Sequence, residues 1–197
     1  MNNSGVQRVV PIILVLIVII VAVAALVSVA RNIFGGNEAP VVNNGKESLV
    51  NTSLDRSVRM TVRGPIVGDN VFHSYTITVT PTTRNLTTYQ GYLQNQLETS
   101  DLANNSKAYE QFVYALDRAD MMEGDELEGD ADDMRGVCAT GYLYRYETIQ
   151  GSNSVKTLWT TSCSRAKGSL DATNAALVRL FRVQIPEAGK ITNKVNL

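Results

Sequence analysis

Few side chains in this 197-residue chain can do chemistry: two cysteines, one histidine and a run of carboxylates. The cysteines come first, because each sits on a segment with a period of two. Over Val137–Ile149, Cys138, Thr140, Tyr142, Tyr144 and Tyr146 share one parity, and over Val155–Cys163 so do Val155, Thr157, Trp159, Thr161 and Cys163. Such alternation marks strands. A hairpin with Cys138 facing Cys163 sets Tyr142 against Trp159, Tyr144 against Thr157 and Tyr146 against Val155. That register leaves Ile149-Gln150-Gly151-Ser152 as a four-residue loop and points both sulfurs to one side, as a disulfide needs. The bond closes about 24 residues, worth roughly 3.4 kcal/mol on the chain-entropy account, and such bonds persist in oxidising compartments. Two reduced, buried thiols in a cytoplasmic domain are the alternative.

In this register Tyr142, Tyr144, Tyr146 and Trp159 make one aromatic face. Stacked aromatics of this kind can bind a carbohydrate, or they can pack beneath helices as core. Arg145, Glu147 and Lys156 fall on the opposite, wet face, which favours the core reading. His73 is the lone histidine and opens a strand, so a histidine-based metal site lacks imidazoles. The loop Asp120–Asp133 gathers Asp125, Glu126, Glu128, Asp130, Asp132 and Asp133. Its glycines fall out of step with a calcium-hand loop, leaving a solvated acidic loop or a loose divalent-ion site. No cofactor is expected. Ser164-Arg165-Ala166-Lys167 spells S-x-x-K, but neither S-D-N nor K-T-G accompanies it. The chain also lacks a G-x-S-x-G elbow, a P-loop and a dinucleotide fingerprint.

The stretch Thr157-Leu158-Trp159-Thr160-Thr161-Ser162-Cys163 loosely resembles the T-L-x-T-C strand end of sortases, which are anchored cysteine transpeptidases. That resemblance implies Cys163 as nucleophile, His73 as its acid–base partner and Arg165 or Arg182 as oxyanion donor. Two extra residues precede the cysteine, and Cys138 is placed to occupy its sulfur. The stretches NNSKAYEQFVYALDRA, RGVCATGYLYRYE and LWTTSC are similar to uncharacterised single-pass envelope proteins of small-genome candidate-phylum bacteria. This second resemblance implies no activity.

What positions these groups begins with Val9–Ala30, an apolar run without a charge, flanked by Arg8 and Arg31. At about 1.5 Å per residue it makes a helix of roughly 33 Å, enough to span a bilayer core of about 30 Å. The expectation is a transmembrane signal anchor over 9–30, contacting membrane lipid, behind a short cytoplasmic tail over 1–8. A cleaved signal ending at Ala30 is the alternative. A Gly- and Asn-rich linker over 31–54 then leads to an extracytoplasmic domain over 55–186 and a C-terminal tail over 187–197. Two of the eighteen basic residues precede Asn32 while all nineteen acidic ones follow it, leaving the exported part at a net charge of −3. That balance argues against nucleic acid as a partner.

Within the domain, Ser57–Arg63 and Val71–Thr80 alternate and predict a first hairpin. Tyr89, Tyr92, Leu93 and Leu97 recur at helical spacing. A second helix is predicted over Ser106–Met122, capped by Asn105 or Ser106, with Tyr109, Phe112, Val113 and Leu116 as its buried stripe. A last helix is predicted over Leu170–Gln184, with Pro186 as its stop. The fold class is thus α+β: an N-terminal transmembrane helix, then an antiparallel sheet of about four strands in ββ-αα-ββ-α order, helices on one face. The functional expectation is a non-enzymatic binding or scaffolding module of the cell envelope, engaging another envelope protein or a glycan. A sortase-like transpeptidase and an accessory subunit of a membrane complex are the alternatives.

Overall fold

The computed structural model describes residues 44–197, which form an antiparallel sheet of six strands with four short helices. The expected anchor at 9–30 gains no support from it: that segment lies outside the described residues, with the N-terminal tail and the first part of the linker. Among the described residues no helix is long and apolar enough to cross a membrane.

The described residues begin with helix α1 (Asn44–Val50), followed by four consecutive strands, β1 (Arg56–Arg63), β2 (His73–Val79), β3 (Thr83–Gln90) and β4 (Asn95–Ala103). Helix α2 (Ser106–Arg118) precedes the hairpin β5 (Leu143–Gln150) and β6 (Asn153–Thr161), and α3 (Asn174–Arg182) and α4 (Ala188–Asn193) end the chain. The sheet order is β4-β3-β2-β1-β5-β6, so β1 joins the two halves by pairing with both β2 and β5.

The four-stranded sheet is therefore corrected to six. The residues expected as a first helix form the β3–β4 hairpin: Gly91 and Gln94 turn the chain with φ of 76° and 57°, and Tyr92 and Leu93 lie exposed at its tip. Five threonines from Thr82 to Thr99 favour strand over helix, because branching at Cβ suits the pleat. Two further corrections concern the ends. Part of the expected linker is α1, whose Leu49 is 1% exposed. The expected tail is α4, which buries Ala188, Ile191 and Thr192.

Alternation sorts the sheet into two faces. Val58, Met60 and Val62 stand opposite Val79, Ile77 and Tyr75, and Met60 also pairs with Tyr146, which pairs with Leu158. These make the core beneath the helices. Helix α2 takes its cap from Asn105, whose side chain accepts from the Ala108 amide, and it buries the predicted stripe Tyr109, Phe112, Val113 and Leu116. Each such side chain contributes roughly 2 kcal/mol by leaving water. Phe181 of α3 meets Phe112 edge-on at 5.3 Å between centroids and Tyr146 at 6.0 Å, so one ring ties two helices to the sheet.

The other face is polar. Thr99, Thr87, Thr76 and Thr61 are successive partners across β4 to β1, and Arg145 and Trp159 continue the same row over β5 and β6. Arg59 and Arg145 converge on Glu147 at 3.8 and 3.3 Å. The two sheet edges differ as well. On β6 the Thr157 amide donates to Glu126 Oε1 at 2.6 Å, the Trp159 amide donates to Ser169 Oγ at 3.0 Å, and the Trp159 carbonyl accepts from Leu170 at 3.0 Å. Those bonds close an edge that would otherwise recruit other strands.

Candidate functional site

The cysteine hairpin forms, with a different register from the one its cysteines suggested. Cys138 and Cys163 are bonded, 5.8 Å between Cα atoms, but both lie in turns beyond the ends of the ladder. Inside it Tyr144 pairs with Thr160, Tyr146 with Leu158 and Thr148 with Lys156, and a bulge skips Val155 before Gln150 meets Asn153 across Gly151-Ser152. Trp159 thereby pairs with Arg145 and lies on the face opposite the tyrosines. The expected aromatic set splits: Tyr142, Tyr144 and Tyr146 stay together, and Trp159 leaves it. The Trp159 indole donates to Asp132 Oδ1 at 2.9 Å. Lys156, expected in water, is corrected to a buried position, where its ammonium donates to the Met122 and Gly124 carbonyls at 3.0 and 2.9 Å.

The carboxylates of the acidic loop act separately. Glu126 and Asp132 serve β6 as described, and Asp133 is held near 2 by its hydrogen bonds with Arg135. Asp125, Glu128 and Asp130 are exposed. Among the described residues no three acidic, histidine or cysteine side chains converge as a metal-binding group. His73 opens β2 and Cys163 follows β6, with β1 and β5 in between. Three strand spacings amount to about 14 Å, and the Cys163 sulfur is consumed in the disulfide, so the transpeptidase set does not assemble.

The tyrosines instead lead to a cavity of about 780 Å³ on the helix side. Its long wall is α3. Asn174, Ala175, Val178, Arg179, Arg182 and Val183 line it, one side of a helix by their spacing of three and four, while Leu177 and Phe181 face the core. The turn into α4 contributes Ile185, Pro186, Ala188 and Gly189, and Tyr144 reaches in from β5. A volume of this order suits a ligand of drug or short-peptide size.

The polar groups of the cavity hold one another in place. The Tyr146 hydroxyl donates to Asn174 Oδ1 at 2.7 Å. Tyr142 and Tyr144 rings lie 6.4 Å apart. Burial pushes Tyr75 up to about 12 against the pull of the Arg182 charge, and burial raises Tyr144 and Tyr146 too. Near neutral pH all three are uncharged phenols, able to donate a hydrogen bond. Arg182 Nη2 donates to Thr192 Oγ1 at 3.3 Å. A Cβ on Gly189 would stand 3.3 Å from that same nitrogen, so the bare glycine gives the guanidinium its room.

Sequence reasoning placed Tyr144 and Tyr146 among candidate ligand contacts; the structure sets Tyr144 in the cavity wall and buries Tyr146 behind it, bonded to Asn174. It missed Asn174 and Arg179, and it named Arg182 only as an oxyanion donor. The signal was present in the helix itself: Asn174, Val178 and Arg182 make an i, i+4, i+8 stripe beside the core stripe. No protein-family model matches this chain, and no curated protein matches it.

Proposed function

We propose that this protein is a non-enzymatic binding module of the cell envelope, attached to the membrane through the apolar segment 9–30, with its folded domain on the extracytoplasmic side. The Cys138–Cys163 bond supports that side, since an oxidising compartment preserves it. The observation that carries the binding role is the cavity along α3, furnished with one phenol, an amide and two guanidiniums. Those groups recognise and orient. At neutral pH none is a ready nucleophile or proton-transfer group.

Six of the eleven lining residues are aliphatic or proline, which favours a protein partner over a glycan. The test is capture of envelope partners by cross-linking in intact cells expressing the full chain. Ala175→Trp and Val178→Trp, which fill the cavity, should abolish that capture, and Cys163→Ala should preserve it at lower stability. Capture unchanged by both cavity variants would refute the reading, and activity lost on Cys163→Ala at unchanged fold would favour the transpeptidase class. Labelling intact cells with an impermeant thiol reagent before and after reduction tests the compartment: both thiols should appear only after reduction.

A further inference from the structure

We infer that the occupant of the α3 cavity is the C-terminal end of a polypeptide, its carboxylate held by Arg182 and Arg179 and its last apolar side chain on the aliphatic wall. The inference rests on the binding reading above and narrows it to one ligand chemistry.

Charge is the first argument. The cavity is lined by two arginines and no carboxylate, in an exported part whose net charge is −3. Arg179 lies exposed on the last turn of α3, and among the described residues no ion pair or hydrogen bond engages its side chain. Arg182 commits only Nη2, to the Thr192 hydroxyl at 3.3 Å. Compensation of the helix dipole accounts for cations at this helix end, but it does not require them to face a cavity. Two guanidiniums three residues apart offer forked donors that match the plane of a carboxylate.

Shape is the second argument. From Asn174 to Arg182 the wall of α3 runs about 12 Å at 1.5 Å per residue. An extended chain covers that length with three to four residues at roughly 3.3 Å each. The far end of the wall carries the Asn174 amide, and the Tyr144 phenol reaches in from β5; both can hydrogen-bond peptide groups upstream of the terminus. Val178 stands between Asn174 and Arg182 on the helix, and Ile185, Pro186 and Ala188 also line the cavity, a surface for apolar side chains and a poor one for sugar hydroxyls. Low-dielectric walls also strengthen the terminal ion pair.

The test titrates the full-length protein in lipid nanodiscs with acetyl-Ala-Val-Ala-Leu as the free acid, its C-terminal amide, hexanoate and inorganic phosphate. The free acid should bind at least tenfold more tightly than each of the other three. Arg182→Gln should cost tenfold or more, Arg182→Lys should fall between because it keeps charge without the fork, and Arg179→Gln should cost severalfold. Equal binding of acid and amide overturns the inference, as does hexanoate or phosphate matching the tetrapeptide. If none of the four probes binds while Ala175→Trp still abolishes partner capture, this inference fails and the binding reading stands. If Ala175→Trp and Val178→Trp leave capture intact, the binding reading itself fails.

Discussion

Replacing Tyr146 with Phe tests how the cavity is held together. Tyr146 is wholly buried, and its ring packs on Phe181 at 6.0 Å between centroids, a contact that phenylalanine keeps. What goes is one hydrogen bond, 2.7 Å from the hydroxyl to Asn174 Oδ1. A neutral bond of this kind is worth about 0.5–1.5 kcal/mol net, and stranding the partly buried amide oxygen brings the cost to roughly 1.5 kcal/mol. For a domain of this size that lowers the melting temperature by about 3–6 °C. Urea unfolding of Tyr146→Phe, Asn174→Ala and the double variant gives the coupling directly, and we expect about 1 kcal/mol of non-additivity. The same variant should weaken ligand binding, because Asn174 lines the cavity. A loss below about 0.3 kcal/mol, or strict additivity, would refute the claim that this bond fixes the amide.

Reduction of Cys138–Cys163, or Cys163→Ala, should cost roughly 3 kcal/mol by loop closure, read as a lower urea midpoint. Lys156→Met removes two buried ammonium bonds, at 3.0 and 2.9 Å to Met122 and Gly124, and should cost about 2–3 kcal/mol by the same measurement. At Gly124 the backbone has φ of 129° and any side chain would run into the Ser169 carbonyl, so Gly124→Ala should destabilise by about 2 kcal/mol or more. Tyr75 is 2% exposed and pushed up to about 12. Its contribution to stability is whole below the unfolded value near 10 and is lost as pH rises toward 12, about 3 kcal/mol over that window. Unfolding free energies measured across this range should fall with pH, and less so in Tyr75→Phe.

The first hairpin and α2 were legible because their residues repeat cleanly. Val58, Met60 and Val62 alternate with Arg59, Thr61 and Arg63, and Tyr109, Phe112, Val113 and Leu116 form a stripe behind an asparagine cap. The β3–β4 hairpin was not, because β3 buries a single large apolar residue, Leu86, while β4 is an edge strand with an exposed Leu97. Little hydrophobic pattern remains in such a pair, and a chance spacing of Tyr89, Tyr92, Leu93 and Leu97 imitated a helix. The disulfide was legible and its register was not. Cysteines in turns beyond a ladder can meet whatever the parity of the strands, so aligning the hairpin on Cys138 and Cys163 carried Trp159 to the wrong face. The bulge at Val155 shifted the pairing again. The cavity escaped because its arginines and asparagine lie on a helix side that sequence pattern alone reads as solvated.

Recognition inside the α3 cavity is the central claim, and arginine side-chain resonances report on it most directly. Full-length protein in nanodiscs, titrated with acetyl-Ala-Val-Ala-Leu free acid, should show the Nε–H signals of Arg179 and Arg182 moving together and saturating, with Arg59, Arg63 and Arg145 on the opposite sheet face unmoved. Shifts confined to Arg59, Arg63 and Arg145, or none at concentrations where binding is complete by calorimetry, would contradict it.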